Sequence, residues 1–193
     1  MQPLTLEGRV VRLEPLDLAH LPDLTTAGAD PDLWRWTLTR LDTPDSMRAY
    51  VETALAERAA ALSLPFAIIV RATSRAIGST RYLSLEPAHR RLEIGWTWLG
   101  RGWQRTAVNT EAKLLLLTHA FETLACQRVE FKTDALNVPS RAALERLGAV
   151  EEGTLRAHML TAGGRVRDSV YYSIVATEWP AVKERLAERL ARD

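Results

Sequence analysis

Three strand-like segments follow one another in the middle of this chain with no helix between them. Phe66–Val70 is a continuous apolar run, Ile77–Leu85 follows a polar turn at 72–76, and Arg91–Trp98 comes next. Strands joined by short turns pair as antiparallel neighbours, whereas a doubly wound parallel sheet needs a helix at every crossover. The chain also has no G-x-G-x-x-G and no Walker loop. The fold class left is α/β (α+β): a mixed sheet flanked by helices.

On either side of this block the pattern is helical at regular intervals. Val10–Glu14 alternates apolar and charged residues as an edge or half-buried strand. Asp17 caps a helix carrying Leu18, Leu21 and Leu24, and 29–40 is an irregular stretch with Trp34 and Trp36. Thr43 and Pro44 open a longer helix with a stripe of Met47, Tyr50, Val51, Ala54, Leu55 and Leu62, and Pro65 is expected to end it. After the strands, Asn109–Ala125 reads as an apolar helix and Arg128–Thr133 as an alternating strand. Asn137–Leu147 is a helix stopped by Gly148. Strands over 150–160 and 166–175 meet across Gly163 and Gly164, and Thr177–Ala191 closes as a helix. The order β-α-α-β-β-β-α-β-α-β-β-α is expected to form one domain over 1–193.

Bulk properties exclude several functions. A net charge of +1 with no basic run does not suit nucleic acid. The N-terminal residues lack the basic head and apolar stretch of a signal peptide, and no apolar segment approaches the ~20 residues that span a bilayer. The lone Cys126 excludes an internal disulfide framework and suits a reducing cytoplasm. No spacing among the four histidines suggests a metal. Asparagine occurs only at 109 and 137. That scarcity fits a thermophilic source or a GC-rich genome.

The most informative stretch runs from Gly95 to Glu111, where a strand ends, a tight loop follows and an apolar helix begins. Free backbone N–H groups at a helix start, with the macrodipole behind them, form an anion site suited to a pyrophosphate. Arg101 and Arg105 are placed to add charge. Asn137 opens the second such helix, in an Asn-x-Pro-Ser start where asparagine caps and proline sits in the first turn.

Together these segments resemble the GNAT acetyltransferases, in particular the RimJ/RimL-type branch. Gln104, Ala107 and Asn109 stand at the defined positions of the family's Gln/Arg-x-x-Gly-x-Gly/Ala loop. The run from Arg128 through Asn137 and Ser140 to Gly148 resembles the next motif, as do Glu151-Glu152-Gly153 and Arg167-Asp168. Ala107 and Asn109 replace the usual small glycines. Ala107 is expected to keep a negative φ, and Asn109 either caps the helix or touches the cofactor.

The resemblance implies a mostly antiparallel sheet of about seven strands, splayed between two central parallel strands. It implies acetyl-CoA as cosubstrate, held by Trp98, Leu99, Gln104, Arg105, Thr106, Ala107, Val108, Asn109, Thr110, Asn137 and Ser140. Ser140 is the candidate acid beside the sulfur, a backbone N–H near Thr97 the oxyanion donor, and Glu93 or Glu152 the base, with no metal. The acceptor is a primary amine, either a protein N-terminal α-amine or a small amine such as an amino acid, polyamine or aminoglycoside. A non-catalytic CoA-binding module and a homodimer are further readings the resemblance allows.

Overall fold

A computed structural model describes residues 4–192, so the ends of the expected 1–193 domain lie outside the described residues. The elements are β1 (Leu6–Glu7), β2 (Val11–Pro15), α1 (Leu21–Gly28), α2 (Pro44–Ala59), β3 (Ser63–Val70), β4 (Arg75–Glu86), β5 (Arg91–Leu99), α3 (Ala107–Thr118), β6 (Arg128–Asp134), α4 (Val138–Leu147), β7 (Val150–Leu160), β8 (Val166–Val175) and α5 (Trp179–Arg192). One eight-stranded sheet runs in the order β1-β2-β3-β4-β5-β6-β8-β7. Every pairing is antiparallel except β5 with β6. The strand beyond the expected seven is the two-residue β1, too short to carry a pattern.

Local chemistry explains the boundaries. The Thr43 hydroxyl accepts from the Ser46 N–H while the Ser46 hydroxyl reaches back, a reciprocal cap that starts α2 where Pro44 points. The helix ends earlier than the proline suggested, because Ala61 takes a left-handed φ of 57° and turns the chain. Pro65 lies inside β3 opposite Arg81, its carbonyl accepting from the Leu16 N–H at 3.0 Å. Leu62 is therefore outside the α2 stripe and exposed. α3 starts two residues before Asn109, capped by Thr106, whose hydroxyl accepts from the Val108 N–H at 3.3 Å. Asn137 caps α4 through the Ser140 N–H at 3.1 Å, and Gly148 ends it at φ 96°.

Two apolar layers cover the sheet. α1 and α2 bury Leu24, Met47, Val51 and Ala54 against Ala67, Ile69 and Trp98. On the other face α3 and α5 bury Val108, Leu116, Val182 and Leu186 against Val129, Phe131, Tyr172 and Ile174. Glu111 of α3, also buried, accepts from the backbone N–H groups of Arg9, Val10 and Val11 at 2.8, 2.7 and 2.6 Å. Those three bonds tie the start of β2 to α3.

Candidate active site

The parallel pair β5–β6 holds together only at its start. Arg91, Leu92 and Glu93 face Arg128, Val129 and Glu130, and beyond them the two strands are no longer in register. β5 also bulges against β4. Gly95 opposes Arg81 and Trp98 opposes Ser79, leaving Trp96 and Thr97 across from Thr80 alone. Trp96 adopts φ 49° there. Gly78 lets the strands meet beside this bulge, since a Cβ on it would lie 2.2 Å from the Trp98 carbonyl oxygen. A bulge re-aims side chains next to a gap in the sheet.

Its effect is to sort β5 between two faces. Glu93 opposes Leu83 and shares the α2 face with Arg81. Simple strand alternation would place Trp96 on the face opposite Glu93, but the bulge returns it to the same face, where it stands 6.0 Å from the Tyr50 ring and 5.0 Å from the Arg81 guanidinium. Thr97 turns to the α3 face. Its hydroxyl lies 2.7 Å from that of Thr80 and accepts from Lys113 Nζ at 2.8 Å.

On the α2 face the continuation of the sheet through β6 and β8 is polar. Glu93 is 4% exposed and sits 3.5 Å from Lys132. Burial pushes its carboxyl above the usual range against the pull of Lys132. Lys132 in turn lies 5.6 Å from the Tyr171 ring centre. Asp134, at the end of β6, pairs with Arg165. Arg165 also covers Trp36 of the α1–α2 connection at 5.4 Å. The connection and the β7–β8 hairpin thus meet over this face and leave a cleft of about 550 Å³ lined by Leu38, His158, Met159, Leu160 and Val166.

The α3 face carries the other half of the site. After β5, the Gln104 side chain donates to the Leu99 carbonyl at 3.3 Å and Arg105 takes φ 61°, so the chain turns sharply into α3. The left-handed residue is Arg105, leaving Ala107 helical as expected. Thr106 engages one first-turn N–H, and the neighbouring amides of Ala107 and Asn109, at the positive end of the helix, could hold an anion. Asn137 and the half-buried Ser140 start α4 at the C-terminal end of β6. The fit to a pyrophosphate and an extended thioester arm is good: donors at one helix start, an opened strand pair, and a second helix start beyond it.

Several expected residues have other occupations. Glu152 makes a two-oxygen pair with Arg128 and accepts from Ser173 at 2.8 Å, and Arg128 holds its carboxyl below the usual range. Arg101 pairs with Asp30 at 2.7 Å and lies 3.7 Å from Asp32, so its charge is directed away from the loop. Asn109 does not cap α3, because Thr106 does. Trp98 packs its ring edge-on to Trp34 at 5.1 Å in the α1–α2 layer, and its backbone pairs with Ser79 of β4. The sequence reading missed Lys113, which is 6% exposed and, among the described residues, bonded only to Thr97. Burial depresses its amine to about 7. A lysine inside an otherwise apolar helical stretch was the available signal.

An opened parallel pair with a bulge on one side, and helix starts on the other, fits the class of acyl-CoA-dependent acyltransferases. The chain belongs to the GNAT acetyltransferases, since residues 11–150 match the Acetyltransferase (GNAT) domain family. YdaF of Bacillus subtilis (strain 168), named as a ribosomal N-acetyltransferase, is 36% identical over 100 residues, covering 52% of this chain and 54% of YdaF. The match thus spans about half of that relative. An acetyltransferase structure from T. thermophilus is 42% identical at a TM-score of 0.89, covering 98% of each chain. Mycobacterium smegmatis RimJ shares the fold at 24% identity and a TM-score of 0.80, over 97% of this chain and 93% of RimJ. These likenesses agree in fold with the RimJ/RimL-type branch. Among the described residues no helix is long and apolar enough to cross a membrane.

Proposed function

We propose that this protein transfers the acetyl group of acetyl-CoA directly to a protein N-terminal α-amine, in a ternary complex. The supporting observation is Glu93, a buried carboxylate at the point where β5 and β6 part, on the α2 face of the sheet, while the α3 helix start lies on the other side. Acetyl-CoA supplies an activated acyl thioester, and the RimJ structure named above was solved with a CoA disulfide. The ribosomal name of YdaF supports a protein terminus as acceptor.

In this reading the amides of 105–110 bind the pyrophosphate and Asn137 contacts the pantetheine arm. The backbone N–H near Thr97 points at the acyl oxygen, its hydroxyl fixed by Lys113 and Thr80. Glu93 takes the proton that the acceptor ammonium must lose before it can attack, and its raised basicity suits that task near neutral pH. Ser140, in the first turn of α4, hydrogen-bonds the departing sulfur, where the positive helix end also favours a thiolate. Glu152 is held by Arg128 and is the weaker candidate for the base. The single free and buried thiol, Cys126, accords with a reducing cytoplasm.

The test is thiol release from acetyl-CoA with and without a panel of amines that includes N-terminal peptides. The transferase reading requires release that depends on an amine. Tight acetyl-CoA binding with no release for any amine would identify a CoA-binding module instead.

A further inference from the structure

Next to the cleft, across from its lining residue Met159, stands an arginine whose role the transfer chemistry leaves open. Arg167 lies on β8 opposite Met159 and is 6% exposed. It stands on the face that carries Glu93, Lys132 and Tyr171. Its Nε has no hydrogen-bond partner, and among the described residues no carboxylate lies within ion-pair distance of its guanidinium. The neighbouring acids are occupied: Asp134 by Arg165, and Glu93 by Lys132.

Two further polar atoms beside it are also unpartnered. Ser169 Oγ, two residues along the same face, is fully buried, and His158 Nδ1 approaches from β7. His158 is turned inward by a second bulge, where Ala157 takes φ 49° and its N–H donates to Asp168 at 2.7 Å. The His158 ring stands 6.0 Å from Tyr171.

A guanidinium stays charged at any physiological pH, and a buried one without an acceptor is costly. A ligand that presents an amine to Glu93 is placed to supply an acceptor to this guanidinium. We propose that Arg167 binds the oxygen on the carbon next to the acceptor's amine, so that the cleft selects α-aminoacyl groups over alkyl amines and lysine side chains. This rests on the transferase reading above and specifies its substrate class. A peptide N-terminus carries that oxygen as a carbonyl and a free amino acid carries it as a carboxylate. The apolar lining from Leu38, Met159, Leu160 and Val166 suits the remainder of a peptide.

The experiment measures kcat/KM with acetyl-CoA for four acceptors: a tripeptide without lysine, the free amino acid of its first residue, the matching alkylamine, and an α-blocked lysine. The wild-type protein is expected to prefer the tripeptide over the alkylamine and the blocked lysine by about 100-fold, as a site built around a polar group rejects analogues that lack it. In Arg167→Gln the tripeptide-to-alkylamine ratio should fall toward one through a rise in the peptide KM, with Arg167→Lys in between and melting temperatures recorded for both. A free amino acid as good as the tripeptide supports the inference and assigns the bound oxygen to a carboxylate. Alkylamine turned over as well as peptide by the wild type, or a ratio unchanged in Arg167→Gln, overturns it. Acetylation of no amine at all overturns the transferase reading and the inference with it, an outcome distinct from unselective acetylation.

Discussion

Replacing Lys113 with methionine separates the cost of a buried amine from its use. The side chain is 6% exposed, donates one hydrogen bond to Thr97 and, among the described residues, meets no carboxylate within ion-pair distance. Burial lowers its pKa from 10.5 to about 7. The unfolded chain therefore holds a proton on this amine between those two values while the folded protein does not. Stability rises with pH across that window: the full cost is present below about 7 and gone above about 10.5. At 1.36 kcal/mol per unit the cost is about 5 kcal/mol, an upper figure because water and local relaxation reduce it. Methionine keeps the length of the side chain and removes the charge, giving up a hydrogen bond of about 1 kcal/mol. Urea unfolding of Lys113→Met and wild type should show the variant more stable by several kcal/mol near pH 6, with the difference shrinking toward zero or below near pH 10, at an unchanged m value. A difference of the same size at both pH values would show that Lys113 is not held as a neutral, desolvated amine.

Other substitutions address the proposed chemistry. Glu93→Gln should lower kcat by roughly 10²–10⁴ with acetyl-CoA affinity intact, while Glu152→Gln should leave kcat near wild type; the reverse result by steady-state kinetics would move the base to Glu152. Because burial raises the Glu93 pKa, the wild-type rate should fall, as pH drops, at a pH above the ordinary carboxylate value, and a pH profile of kcat/KM reads this limb directly. Ser140→Ala should reduce kcat by roughly 10- to 200-fold with acetyl-CoA still bound. A lowered melting temperature with unchanged kcat would reduce Ser140 to a helix-start residue. Ala107→Glu brings negative charge and bulk to the α3 start, and calorimetry should find acetyl-CoA binding abolished.

The parts of this molecule that could be read from its sequence are those decided within a few residues. The Thr43–Pro44 helix start, the Asn137 cap and the Gly148 stop are each a local choice between backbone groups and a nearby side chain. The three central strands were legible because short turns leave antiparallel pairing as the ready solution. What was not legible depends on distant partners. The side-chain period of two places Trp96 opposite Glu93, and only the pairing of β5 with Thr80 creates the bulge that reverses it. Glu152 reads like Glu93 until Arg128, 24 residues earlier, claims its carboxylate. Lys113 looks like the polar edge of a helix, but α3 lies over Thr97 and Phe131 at the opened strands, and that packing buries it. Asn109 lost the cap to Thr106 because Arg105, in a left-handed conformation, turns the chain into the helix two residues sooner.

The central claim, acetyl transfer to an N-terminal α-amine, is tested most directly with a peptide that carries both a free α-amine and a lysine side chain. After incubation with the protein and acetyl-CoA, fragment-ion mass spectrometry locates any acetyl group on the peptide. The account predicts acetylation at the α-amine alone, at a rate that collapses in Glu93→Gln; acetyl found on the lysine side chain, or a peptide left unmodified while acetyl-CoA binds, would contradict it.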